Sequence, residues 1–374
     1  MRRKTRILVE CYEHLPSFEL NIQGYEKFSK VVPIEVRGRL TKNIKSEDIE
    51  WSDVLIDVRG GNPLSAYVVK QAKKAGRRVY LSLDDDLMDI FPATNEGRIF
   101  RNSLLNVMKY ADCMLTSSQY LGNKYQEKYG INYVVINTVV EREQFKANSE
   151  SNRDGEIRLV YAAGSQHIPF FNAMIKPILN QLYDKYSEKI SLTIIGPNID
   201  TTGTNLKINK KASMPYDEYR RFMDSHHFDI GLAPLFDSEF CRSKYFNKYL
   251  EYSTNNICGI YSKVMPYTLV VEDGVNGLLA ENNPNAWYDA ICKLVDNPSL
   301  ADQYTEKAQC QILKNYGLET IVESVRKAVP DLFSFIAKNN STKFCKYMKL
   351  RFLYYAFKRR AFSCCIINTI NNKF

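Results

Sequence analysis

The sequence predicts an α/β protein made of two doubly wound units in tandem. Three observations carry this. Short apolar runs alternate with longer stretches of helical spacing; a polar, turn-rich segment interrupts them; and the alternation then starts afresh. The runs are nearly continuous in apolar residues, as strands covered on both faces of a parallel sheet require.

In the first unit, residues 6–10, 31–36, 54–58, 79–83, 113–116 and 133–136 read as strands, with helices expected at 63–75, 104–110 and 118–129. Residues 146–156, "KANSESNRDGE", have turn formers and no periodicity and read as a linker. The second unit opens with a strand at 157–162, a helix at 170–186, a strand at 191–195 closed by Gly196-Pro197, and a short strand at 207–208. A helix at 216–225, a strand at 230–233, a charged helix at 245–253, a strand at 257–261 and a helix at 286–295 follow. The expected domains are 1–150, 151–330 and a tail, 331–374. Tandem units of this kind leave a cleft between the carboxyl ends of their sheets, where open α/β sheets bind ligands.

Composition narrows the class. The chain is 45% hydrophobic, enough for two ordinary cores, and no apolar run reaches the roughly 18 residues of a membrane span. Its basic start leads into an apolar run too short for a signal peptide, so a cytoplasmic protein is expected. Nine cysteines without a Cys-x-x-Cys pair fit buried thiols better than a disulfide framework or a zinc ribbon. Of the formal charge of +9, residues 331–374 carry nine bases against one acid, so the body is almost neutral and the tail basic.

The stretch "FDIGLAPLFDSEFCRSKYFNKYLEY", residues 228–252, passes from a buried strand through a loop to a charged helix. A helix start offers unpaired N–H groups and the positive dipole end to phosphate. Lys244 adds a full charge there, and Lys248 and Glu251 follow close to the same face. A carboxylate on a phosphate-binding face suits the vicinal hydroxyls of a ribose, so a nucleoside diphosphate fits the set. An exposed helix with a Lys–Glu pair is the alternative reading.

This segment resembles the donor site of family 4 glycosyltransferases, enzymes with two Rossmann-like domains facing across a cleft (the GT-B architecture). "LEYSTNNICGIYS" supplies the second acidic position of their signature as Glu251, and "VVEDGVNGLLAENN", with Gly274 and Gly277, resembles the turn and strand after it. The segment 111–145 is similar to the end of their acceptor domain through Ala111-Asp112, Ser117-Ser118, Asn137 and Phe145. "LTIIGPN" and "MPYDEYRRFM" sit where they have a central strand and its following helix, and "VYLSLDDDLMDI" resembles a stretch found in a bacterial surface-polysaccharide branch. The resemblance covers roughly residues 6–329. It implies transfer of a hexosyl-type sugar from a nucleotide sugar, with retention, to a lipid-linked glycan acceptor of the capsule or O-antigen kind. Two departures stand out. The first acidic position falls on Ser243, with Glu239 as a nearby substitute, and no base follows the strand at 157–162. There the loop "AGSQH" offers Gly164, Ser165 and His167. Ser243 also keeps open a non-catalytic subunit that binds a partner transferase.

On the acceptor side, Asp84-Asp85-Asp86 reads as polarity or acceptor contact, or alternatively as a metal-binding run; no metal or other cofactor is expected. Arg59-Gly60-Gly61-Asn62 reads as a ligand loop or a plain turn, and His14 as an acceptor contact. His167 is either a donor contact or a structural histidine, and His226-His227 a helix end. No Walker loop is present. In the tail, Tyr347, Leu350, Leu353, Tyr354, Phe357 and Ala361 fall on one helical face flanked by bases. Residues 338–361 are therefore expected to attach the protein peripherally to the anionic inner face of the cell membrane. A helix packed on the body and a nucleic-acid arm are the alternatives, and a nucleic-acid partner is not expected.

Overall fold

The computed structural model describes residues 3–90, 94–146, 155–196 and 198–338. The chain divides into two compact units, one of residues up to Val139 with those from Leu318 onward, the other Val140–Gly317.

The first unit holds a six-stranded sheet of β1 (Thr5–Cys11), β2 (Ile34–Leu40), β3 (Val54–Val58), β4 (Arg78–Leu83), β5 (Cys113–Thr116) and β6 (Tyr133–Val135). Their spatial order is β2-β1-β3-β4-β5-β6, and every neighbouring pair is parallel. Ile7, Leu8, Leu55, Ile56 and Leu81 are fully buried, each contributing about 1.5–3 kcal/mol by leaving water. Helix Pro63–Lys74 starts where Asn62 Oδ1 accepts from Leu64 N at 2.8 Å, with Pro63 in the first turn. Helix Gln119–Tyr129 ends on Gly130, whose φ of 71° suits glycine. The helix expected at 104–110 begins earlier, at Asn95, because Thr94 caps Gly97 N. Its first turns are too polar to show an apolar stripe.

Helices Leu318–Ala328 and Asp331–Ser334 belong to this first unit. Thr5 Oγ1 donates to Phe333 O at 3.0 Å, Ala337 N donates to Asp53 Oδ1 at 2.9 Å, and Arg78 Nη2 lies 2.7 Å from Asp331 Oδ2. Leu332 is fully buried. The chain from 330 to 338 is thus part of the body. The amphipathic pattern beyond it, 339–361, lies outside the described residues. No described helix is long and apolar enough to cross a membrane.

The second unit repeats the plan with β7 (Ile157–Ala162), β8 (Ile190–Gly196), β9 (Lys207–Ala212), β10 (Ile230–Ala233), β11 (Cys258–Ser262) and β12 (Leu278–Ala280). The order is β12-β11-β10-β7-β8-β9, again parallel throughout. The expected strand at 207–208 extends to Ala212 as an exposed edge, where Lys207, Lys210 and Lys211 guard against further pairing. The single helix expected over 170–186 is broken into Ile168–Met174 and Leu179–Tyr186. Pro177 lies at the break, lacking the N–H that a continuous helix needs.

Each sheet has one point where the strand order reverses, between β1 and β3 in the first and between β7 and β10 in the second. Loops at the carboxyl ends of those strands are where such sheets hold ligands.

Candidate functional site

In the second unit the reversal point is flanked by the loop after β7 and the segment after β10. Gly164 and Ser165 are exposed in the first of these. Ser165–His167 forms a 3-10 turn, anchored by Tyr161 Oη donating to His167 O at 3.0 Å; the His167 ring meets Phe170 edge-on at 5.1 Å. After β10, Ser238 caps the short helix Glu239–Arg242, and Glu239 at its start is exposed. Ser243, at the position of the resemblance's first acid, is 1% exposed, and its hydroxyl donates to Glu239 O at 2.9 Å.

The charged helix runs Asn247–Thr254. Lys244 therefore sits in the turn before it rather than on its first turn, with Nζ 4.3 Å from the Phe240 ring centroid. Phe246 is buried against Tyr316 and separates the two helices. Tyr249 and Tyr252 are fully buried on the inner face. Tyr252 Oη donates to Leu232 O at 3.0 Å, and its ring fills the space over Gly231, where a Cβ would lie 2.4 Å from it. This close approach ties the helix to β10.

Lys248 and Glu251 share the outer face, each side chain 23% exposed. Lys248 Nζ lies 2.7 Å from Glu251 Oε1 and donates to Tyr219 Oη at 3.1 Å. Tyr219, from helix Tyr216–Ser225, donates its own hydroxyl to the same Glu251 Oε1. Burial, and then the Glu251 charge, push the Tyr219 phenol well above its ordinary value, so it stays protonated as a donor. Lys248 thus grips Glu251 and Tyr219 together. Tyr219 was not singled out from the sequence, although its i+3 spacing from Tyr216 within "MPYDEYRRFM" is visible there.

In the first unit, Arg59 and Gly60 follow β3 in left-handed conformation, φ 71° and 46°. Arg59 is not glycine, and three contacts hold it there: its N–H to Ser82 O at 3.0 Å, Nε 3.2 Å from Asp84 Oδ1, and Nη2 2.7 Å from Asp85 Oδ2. Asp86 turns the other way and is fully buried. Lys124 Nζ lies 2.7 Å from its Oδ2, and Tyr125 Oη and Met88 N donate to its Oδ1 at 3.1 and 3.2 Å. The three aspartates therefore serve two separate cations. No group of three or more His, Cys, Asp or Glu placed to hold a metal occurs among the described residues. His14 lies on the surface, 2.7 Å from Glu19.

Beneath this turn lies a pair the sequence reading passed over. Glu10 and Asp57 are register partners on β1 and β3, point to the same face, and are both fully buried. Thr41 Oγ1 donates to Glu10 Oε2, and Ser65 Oγ donates to it at 3.4 Å. Burial raises both carboxyls, Asp57 well above the usual carboxylate range because it also faces Glu10. Two such carboxyls side by side out of water favour a proton held between them over two charges. The pair's signal was a lone acid inside each of two apolar strands, "ILVEC" and "VLIDV".

No family model matches the sequence, and no curated protein matches it. Solved structures do. The chain is similar to Anabaena HepE in complex with UDP-glucose (12% identity, 87% of this chain and 99% of that one, TM-score 0.61). It is also similar to the lipopolysaccharide outer core galactosyltransferase WaaB (14%, 88% and 100%, TM-score 0.55) and to TarM (15%, 76% and 56%, TM-score 0.57). It spans little more than half of TarM's length. The fold is GT-B. The two Rossmann-like domains expected from the sequence are what the structure and these neighbours share, and in this chain each holds a six-stranded parallel sheet.

Proposed function

We propose that the protein is a glycosyltransferase of the family 4 kind, moving a hexosyl group with retention from a nucleotide sugar to a lipid-linked saccharide in surface-polysaccharide synthesis. The observation that carries the reading is Glu251, fixed by two donors beside the reversal point of the second sheet. In this reading Glu251 holds the ribose, and the start of helix Asn247–Thr254 with Lys244 stabilises charge on the departing diphosphate. Gly164, Ser165, His167 and Glu239 line the donor side; Arg59, Asp84 and His14 stand on the acceptor side. Asp86, tied to Lys124 and Tyr125, supports its loop. Phosphate charge is met by backbone and lysine rather than by metal. The basic segment 338–361 draws the protein to the anionic inner face of the membrane, where such acceptors reside. Solved neighbours bound to UDP or UDP-glucose support a nucleotide-sugar donor.

Calorimetry with nucleoside diphosphates tests the donor site: Glu251→Ala and Lys244→Ala should each weaken binding. Unchanged affinity in both folded variants removes this helix from the site. One observation favours a second reading, a non-catalytic subunit: Ser243 is buried and bonded to backbone where the resemblance has an acid meeting the donor sugar. Transfer and hydrolysis assays across a panel of nucleotide sugars separate the two.

A further inference from the structure

Both protein donors to the Glu251 carboxylate converge on one oxygen. Tyr219 Oη and Lys248 Nζ meet Oε1, and among the described residues no group donates to Oε2. A carboxylate oxygen has two lone-pair positions, so Oε1 is filled and Oε2 keeps both of its own. The carboxylate is also held against rotation, because Tyr219 and Lys248 are themselves joined at 3.1 Å and Lys248 Nζ lies 5.2 and 5.5 Å from the Tyr219 and Tyr252 ring centroids. Tyr219 comes from a different helix, Tyr216–Ser225, so the arrangement does not follow from the i,i+3 spacing of Lys248 and Glu251 alone.

We propose that Tyr219 is a positioning residue for nucleotide recognition: with Lys248 it saturates Glu251 Oε1 and presents Oε2 alone to the vicinal hydroxyls of the ribose. This rests on the reading of Glu251 as the ribose-binding group. The phenol has no contact with the nucleotide in this scheme. Its effect is on the entropy and direction of the carboxylate, so it governs discrimination for ribose rather than the phosphate contribution to affinity.

The test measures binding to the full chain by calorimetry. The tightest of UDP, GDP, ADP and CDP is chosen, and its affinity is compared with that of its 2′-deoxy form. The wild type should bind the deoxy form about tenfold or more weakly, the loss of one hydrogen bond to a charged group. Glu251→Gln should bring the ratio close to one. Tyr219→Phe keeps the ring and removes the donor. It should weaken the ribonucleotide about threefold to tenfold and the 2′-deoxynucleotide, which keeps only the 3′-hydroxyl, distinctly less, a split that a merely structural residue would not produce. Lys248→Met should move the ratio the same way, and it serves alone if Tyr219→Phe does not fold. The double variant should lose less than the sum of the singles, since both act on one oxygen. A wild-type ratio kept in Tyr219→Phe and Lys248→Met, but abolished in Glu251→Gln, overturns the positioning role and leaves the ribose reading intact. A ratio kept in Glu251→Gln, or a wild-type ratio of one, overturns the ribose reading and the proposal with it.

Discussion

Replacing Asp57 by asparagine should flatten the pH dependence of the first unit's stability. In the folded unit Asp57 and Glu10 are fully buried neighbours, and burial and the Glu10 charge raise Asp57 well above the usual carboxylate range, so the pair retains a proton that the unfolded chain gives up. In the unfolded chain both groups are ionised above about pH 5. From there up to the folded value, the native state binds one proton more than the unfolded state. Its stability therefore falls as pH rises, by about 1.4 kcal/mol per pH unit for a single proton. The substituted amide would keep the shape, donate to Glu10 and remove the neighbouring acid charge, leaving burial as the cause that still raises Glu10. The Asp57→Asn variant should gain on the wild type as pH rises from about pH 5 toward the raised folded value, by up to about 1.4 kcal/mol per pH unit. Urea unfolding provides the assay. The chain has two tryptophans, Trp51 in the first unit and Trp287 in the second, so a Trp287→Phe background lets Trp51 fluorescence report the first unit alone. Parallel stability curves for the wild type and Asp57→Asn over that range would refute the retained proton.

Lys124→Met should destabilise the first unit by about 3 kcal/mol, because fully buried Asp86 loses its cation and, among the described residues, keeps Tyr125 and Met88 as donors; the same urea melts would show it. Sugar transfer should survive EDTA, and activity lost to chelator and restored by magnesium or manganese would bring Asp84–Asp86 into the mechanism. Truncation after Lys338, rather than after Val329, should leave a folded, nucleotide-binding body, since Leu332, Phe333 and Ala337 pack on the first unit. That body should no longer sediment with anionic vesicles at low salt, whereas the full chain should, each basic residue near the surface contributing about 1 kcal/mol.

The strands were legible because a parallel strand buried on both faces declares itself locally. Residues 54–58, 113–116, 157–162 and 230–233 are bounded in the structure as in the sequence. Capping residues such as Asn62 and Ser118 likewise act within a turn of themselves. The stretch after β10 could be marked as a candidate site for the same reason: a loop at a strand's carboxyl end followed by Lys248 and Glu251 is a local pattern. What only the tertiary structure decided involves partners far apart in the chain. Glu10 meets Asp57 because β1 and β3 are neighbours, and strand order is not written in the alternation of strands and helices. Tyr219 reaches Glu251 because two helices pack beside each other, and Leu332 returns to the first unit because its apolar side chain finds burial there. Ser243, legible only as a missing acid, is seen to be buried on a backbone carbonyl. Apolar patterning fixes which residues must leave water; which distant polar groups then share the same small volume depends on how the elements stack.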